Sequence, residues 1–307
     1  MKKIISAIIL AVLAITMFTG CNQGSQASQA GAASGNGSPS TTNASFNDNR
    51  EITIVSRESG SGTRGAFIEL TGIEVRDSDG NVTDMTSAEA AIGNGTNAIM
   101  TNVAGDAYAI GYISTGSING TIKPISVDGI APTAENILSG SYRIARPFII
   151  VTSDSTLPLT QEFIDFIMSA PGQEIVAGNY IPVDQSAPAF QSAGFGGTIV
   201  IGGSTSVSPV MERLSEGYRA LNPNATIEVH ATGSGAGITG AIDGLLDIGM
   251  SSREIRDSEM EQLEQKITIC MDGIAIIVNN ANPIENVTSE QIREIFIGEI
   301  TRWSNIR

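Results

Sequence analysis

The sequence predicts an α/β fold with largely parallel sheets, on three observations. Short β-rich runs alternate with amphipathic helical patterns along the chain. Three strands lead straight into loops of glycine and hydroxyl residues that open helices. About 260 residues, from Phe46 to Arg307, follow a leader and a small-residue segment, which suits one large domain or two lobes.

The candidate strands are Ile52–Val55, Ala109–Ile113, Phe148–Val151, Thr198–Ile201, Thr226–Val229 and Ile274–Val278. Helical spacing puts Met211, Leu214, Tyr218 and Leu221 on one face. Ile292, Ile295 and Phe296 share another, opened by Thr288 and Gln291 in capping-box spacing. Phe163, Phe166 and Ile167 form a third after Thr160. Asp184 to Gly197 is rich in small residues, contains proline and reads as a loop or linker.

The leader is a targeting signal and stands outside the fold. Lys2 and Lys3 precede Ile4–Phe18, apolar apart from Ser6 and Thr16 and too short for a secure membrane span. Phe18-Thr19-Gly20-Cys21 resembles a bacterial lipoprotein box, which implies cleavage before Cys21 and a lipid on it. The alternative is an ordinary signal peptide in which Cys21 is incidental. Asn22 to Asn47 has almost no large apolar residue, so burial cannot offset its ordering entropy, and it reads as a flexible tether. A coil of about 26 residues spans roughly 28 Å.

The full chain carries a net charge of −15. Loss of residues 1–20 removes two lysines and no acid, leaving 15 cationic and 32 acidic side chains and a net −17. Such an acidic surface argues against nucleic acid as a partner. Cys270 is the one cysteine beyond Cys21 and lies in an apolar stretch, as a buried inert thiol would. His230 is the one histidine, so a multi-histidine metal site is excluded.

The three glycine and hydroxyl loops are Ser56 to Arg64, Gly202 to Pro209 and Thr232 to Gly237. Their shared design suits anion capture. The first N–H groups of a helix have no internal partner, and the helix dipole adds positive charge there. Glycine admits an oxyanion close to the backbone, hydroxyls donate further bonds, and Arg57 can supply a forked, charge-assisted pair. Each loop taken singly also fits plain helix capping. None matches a nucleotide-hydrolase phosphate loop or a serine-nucleophile elbow.

Ser56 to Arg64, Gly202 to Pro209 and Asp247 to Arg253 together resemble the phosphate-binding proteins of bacterial Pst-type ABC transporters. Asp272 to Asn279, Ile300 to Trp303 and Ala109 to Tyr112 carry the resemblance across residues 50–307. It implies a two-lobed type II periplasmic-binding-protein fold that closes on inorganic phosphate in the cleft between lobes. It also implies no cofactor, permease subunits of an ABC transporter as partners, and an extracytoplasmic place at the cell membrane. By motif position, Thr205, Ser206 and Ser234 match one lobe's contacts, and Arg57, Ser61, Gly62 and Thr63 the other's. Ser252 stands where better-known members have an aspartate that accepts a phosphate proton, and Ser59 where they have the aspartate that pairs with the arginine.

The segments also come in a different order from the family's, in which the Gly-Ser-Thr-Ser loop comes first. The simplest reading is a circular permutation; the alternative is a fragment of a repeat array. The expected partition is signal peptide 1–20, tether 21–47, lobe 1 over 146–271, and lobe 2 over 48–145 and 272–307. A phosphatase or phosphotransferase using the same anion site, and a sensory or structural lipoprotein, stand as alternative functions.

Overall fold

The computed structural model describes residues 46–77, 82–153, 156–184 and 186–306. The leader, Cys21, most of the tether and Arg307 lie outside these residues. The strands are β1 (Thr53–Arg57), β2 (Glu74–Arg76), β3 (Val82–Asp84), β4 (Ala91–Gly93), β5 (Ala109–Ser114), β6 (Ile122–Val127), β7 (Ala145–Thr152), β8 (Ile181–Pro182), β9 (Gly197–Gly203), β10 (Ala225–Ala231), β11 (Ile248–Ser251), β12 (Gln265–Asn279) and β13 (Asn286–Val287). The helices are α1 (Gly62–Leu70), α2 (Thr96–Gly105), α3 (Ala134–Leu138), α4 (Pro158–Ile167), α5 (Ala170–Ala177), α6 (Ser208–Leu221), α7 (Ser234–Ile242), α8 (Asp257–Met260) and α9 (Ser289–Ile297).

The main sheet runs β10-β9-β11-β7-β12-β5-β1-β4. β12 joins its halves: Gln265 to Gly273 pair with β7, and Ile274 to Val278 pair with β5. The outer strands are parallel as expected, β9 with β10 and β11, and β1 with β4 and β5. The centre is not: β12 is antiparallel to β5, β6 and β7. The reason is directional. β7 carries the chain from one lobe to the other and β12 carries it back, so the two crossing strands must oppose each other.

Each half of the sheet is apolar on both faces, as strands buried under helices on two sides require. In the half built on β7 and β9–β11, Phe148 and Ile150 face one core, and Ile149 and Val151 the other. In the half built on β1 and β5, Ile274 and Ile276 join the core of Phe67, Tyr112 and Phe296, while Ala275 and Ile277 pack under Ile99 and Val103 of α2. Phe67 and Tyr112 stack at 3.8 Å between centroids.

The helical faces follow their spacing, with one exception. Met211, Leu214 and Tyr218 are fully buried, but Leu221 is 52 % exposed. It is the last residue of α6, and buried Asn222 takes the chain back instead, donating to Tyr218 Oη and to the Phe195 carbonyl. α9 opens on the expected capping box: Thr288 Oγ1 accepts from Gln291 N–H, and Gln291 Oε1 from Thr288 N–H. α4 starts earlier than Thr160, at Pro158, whose missing N–H costs nothing in a first turn. The described residues of the 184–197 stretch form no helix or strand before β9 but are firmly attached: Phe190 packs on Phe166, and Glu162 accepts from Ser192 Oγ and Ala193 N–H. Cys270 is buried, and that burial pushes its thiol pKa up.

Phe46 packs on Tyr108 and Trp303. Beside it, Ser304 N–H donates to the Asp48 carbonyl and Arg302 Nη1 to the Asn49 carbonyl. Among the described residues no helix is long and apolar enough to cross a membrane.

The packing of α7 onto the sheet depends on Gly237. A Cβ there would stand 2.6 Å from the Gly202 carbonyl oxygen and 2.6 Å from Gly203 Cα. Gly237→Ala is therefore expected to destabilise by about 1–3 kcal/mol despite alanine's better helix propensity. Gly105→Ala, with open space around the new methyl, is expected to be neutral or slightly stabilising. Thermal denaturation of the two variants checks both, and equal Tm values would refute the packing argument.

Candidate anion-binding site

Four helix N-termini meet across the cleft. α1 opens at Gly62 with Ser61 as its N-cap, α2 at Thr96, α7 at Ser234, and α6 follows the Ser204–Val207 turn. Thr205 is the common neighbour: its Oγ1 accepts from Arg57 Nη2 at 2.9 Å and lies 3.3 Å from Thr96 Oγ1. Thr63 Oγ1 and Ser206 Oγ are hydrogen-bonded at 2.9 Å. Gly235 N–H donates to the Gly60 carbonyl at 3.0 Å. Gly62 needs its missing side chain, since a Cβ would lie 2.2 Å from Ser234 Oγ and 2.9 Å from Ser252 Oγ.

Arg57 is the cation of this cluster and is 1 % exposed. Glu58 holds it in a fork: Nε donates to Oε2 and Nη2 to Oε1, each at 2.7 Å. The Gly95 N–H donates to Glu58 Oε2 as well. Burial pushes the Glu58 pKa upward, but the hydrogen bond and charge of Arg57, with the Gly95 N–H, outweigh it and hold the carboxyl below its usual range. Arg57 Nη1 is buried and has no hydrogen-bond partner among the described residues. A guanidinium nitrogen left this way suits an external acceptor, because an unsatisfied buried donor is costly.

The serines form their own chain. Ser204 Oγ donates to Ser252 Oγ at 2.8 Å, Ser234 Oγ lies 3.4 Å from Ser252 Oγ, and Ser252 N–H donates to Ser234 Oγ. All of these hydroxyls are buried.

Arg57, Gly62, Thr63, Thr205, Ser206, Ser234 and Ser252 thus come together in one cluster, buried apart from half-buried Thr205, drawn from both halves of the sheet. Ser61 is adjacent, with its hydroxyl engaged in capping α1 through Arg64 N–H. Arg64 is turned away to Asp84 at 2.7 Å, although its Nη1 also donates to the Arg57 carbonyl. Ser59 does not leave the arginine without an acid, since Glu58, one residue earlier, supplies the carboxylate. Sequence reasoning missed Glu58, Ser204 and the Gly95-Thr96 helix start. Glu58 stood beside Arg57 in the motif, but adjacent residues on a strand point to opposite faces; the chain leaves β1 at Arg57, which frees Glu58 to fold back. His230 stands exposed beside Glu228, and no cluster of three metal-ligating side chains occurs among the described residues.

Residues 27–171 and 188–306 match the PBP superfamily domain. The chain is 46 % identical over 257 residues to phosphate-binding protein PstS 2 of Streptococcus agalactiae, covering 83 % of this chain and 87 % of that one. The chain belongs to the PstS phosphate-binding proteins of the PBP superfamily. PstS 2 of Streptococcus pneumoniae is 41 % identical over the same length, with 83 % and 88 % covered. The crystal structure of a phosphate-binding protein of a phosphate ABC transporter from that species superposes with a TM-score of 0.68 at 41 % identity. That match covers 84 % of this chain and 100 % of that one. The two-lobed fold expected from the sequence is that of the family.

The Glu58 pairing has a pH signature. A carboxyl whose folded pKa is depressed contributes stability above its unfolded pKa, about 4.3 for glutamate, and loses it as pH falls through the folded value. Urea midpoints measured from pH 6 to 3 are expected to show wild type above Glu58→Gln at pH 6, with the gap closing in acid. A gap constant across that range would refute the pairing as the source.

Proposed function

We propose that this chain is an extracytoplasmic solute-binding protein that captures inorganic phosphate for an ABC importer. A lipid on Cys21 holds it to the outer face of the cell membrane, and residues 21–47 tether it there. The observation that carries the phosphate reading is Arg57: a buried guanidinium whose Nη1 has no acceptor among the described residues, set among hydroxyls and helix N-termini. The relatives named above are binding proteins, which leaves the phosphatase and sensory alternatives without support.

In this reading Arg57 donates to the anion through Nη1 while its fork holds Glu58, and the α1 N-terminus at Ser61, Gly62 and Thr63 donates from one lobe. Thr205, Ser206, Ser234 and Ser252 donate from the other. A net charge of −17 repels a dianion at long range, so affinity must come from local donors. Neutral hydrogen bonds contribute about 0.5–1.5 kcal/mol each and those of charged groups about 1.5–3. Arg57→Ala is expected to weaken phosphate binding about 10- to 100-fold in calorimetric titration. Arg57→Lys recovers only part, because a point charge cannot reproduce the fork. Arg64→Ala costs less, since its bond is to the Arg57 backbone. Equal losses at Arg57 and Arg64 would overturn the assignment.

Selectivity follows from the acceptors. Both Glu58 oxygens are engaged by Arg57, one of them by Gly95 as well, and positions 252 and 59 carry hydroxyls, so the acceptors offered to a phosphate proton by Ser204, Ser234 and Ser252 are hydroxyl oxygens. A hydroxyl accepts or donates by rotation, whereas a carboxylate only accepts. Phosphate is expected to beat sulfate by a modest margin, and Ser252→Asp is expected to widen it by repelling sulfate. Parallel titrations with the two anions test this; an unchanged ratio would mean that residue 252 does not face the ligand.

The segment order is read as a circular permutation, with lobe 1 over 146–271 and lobe 2 over 48–145 and 272–307. Two facts support it. Residues 302–304 lie against 48–51, and the chain matches PstS of Staphylococcus haemolyticus over only 34 % of its length, against 83 % for the streptococcal relatives.

A further inference from the structure

Arg146 and Asp272 form a fully buried ion pair outside the anion cluster. They face each other in the register of β7 and β12, the two strands that cross between the lobes. Asp272 Oδ1 accepts from Ser114 Oγ and Thr115 Oγ1, each at 2.9 Å, at the end of β5 in the second lobe. Asp272 Oδ2 accepts from Arg146 Nη2 at 3.3 Å. Arg146 Nη1 donates to the Ser252 carbonyl at 2.9 Å, in the first lobe. The guanidinium lies over the Phe148 ring, and its Nε has no partner among the described residues.

A pair selected only for stability would not look like this. Desolvating two charges costs several kcal/mol, which only close, multiple contacts repay, and apolar replacements often do as well. Here the pair makes a single contact at 3.3 Å and leaves one N–H unsatisfied. The shorter bond of the guanidinium goes to the Ser252 carbonyl. Ser252 is then held at every polar atom: its carbonyl by Arg146, its N–H by Ser234 and its hydroxyl by Ser204.

We infer that Arg146 is a positioning residue for the anion site, fixing the Ser252 peptide so that its hydroxyl faces the ligand, with Asp272 anchoring it to the opposite lobe. The inference rests on the phosphate reading for its binding consequence and on the Ser252 bonds for its geometry. Through Asp272, the end of β5 and the Ser252 loop share one buried chain of contacts at the crossing strands. The direct anion contacts do not pass through it.

The single variant Arg146→Met strands a buried carboxylate and is expected to unfold readily. The decisive variant is Arg146→Met/Asp272→Asn, which removes both charges and keeps an acceptor for Ser114 and Thr115. It is expected to be folded by circular dichroism, with a Tm above that of Arg146→Met, yet to bind phosphate roughly tenfold more weakly than wild type, the effect of one lost hydrogen bond. Arg146→Lys in the otherwise wild-type chain is expected to restore part of the affinity, since one ammonium can serve Asp272 or Ser252 but not fork to both. The second readout needs no ligand: hydrogen exchange of the Ser252 amide, which is expected to speed up in the double variant while core amides of β12 keep their protection. A folded double variant with wild-type phosphate affinity would overturn the inference. If wild type itself binds no phosphate, the functional reading fails, and unchanged Ser252 exchange in the double variant would overturn the positioning role on its own.

Discussion

The molecule is organised by the need to run one strand through two cores. β12 is 15 residues long, and its ends belong to different halves of the sheet. It changes partners between Gly273 and Ile274, which places Asp272 at the changeover. Beyond the changeover Ile274–Val278 is wholly apolar, with alternate residues serving opposite faces of the sheet, whereas Gln265, Lys266 and Thr268 break the apolar run before it. β12 thus bonds to β7 in one half of the sheet and to β5 and β6 in the other, so a single continuous strand ties the two halves together.

That arrangement leaves the cleft to be lined by whatever the sheet edges deliver, and they deliver helix starts. Strands β1 and β9 end in turns whose next residues begin α1 and α6, and β10 leads likewise to α7. Parallel strands with helices between them put those starts at the carboxyl ends of the strands, which is where ligands collect in open α/β sheets. The chemistry is then almost forced. Orphan N–H groups need acceptors, short hydroxyl side chains fit where backbones approach closely, and a single cation with its own counter-ion tunes the whole. The partnering of Arg57 by Glu58 keeps the buried charge nearly neutral.

The reading of the sequence reached the fold and most of the cluster because both are written in local patterns. Ile274–Val278 is a continuous apolar run, and the Ser56–Arg64 loop carries its glycines and hydroxyls in a row. What escaped it depends on residues far apart. The antiparallel centre comes from the chain's direction of crossing, which no window of residues contains. Arg146 and Asp272 are 126 positions apart and look like ordinary surface charges until β7 and β12 lie side by side. Leu221 kept the helical period but sits where α6 ends and Asn222 turns inward.

Among the described residues the hydrogen bonds across the cleft are small: a backbone bond from Gly235 to Gly60, hydroxyl bonds at Thr63–Ser206 and Thr96–Thr205, and Arg57 reaching Thr205. The three neutral bonds are worth about 0.5–1.5 kcal/mol each and the Arg57 bond about 1.5–3, before the entropy of ordering is counted. An anion bridging the two sides would add bonds of comparable size to these, so its arrival or departure weighs directly on the seal. For a carrier this matters as much as grip: each load must be surrendered, and the modest seal sets how little work a receiving partner has to do to empty it.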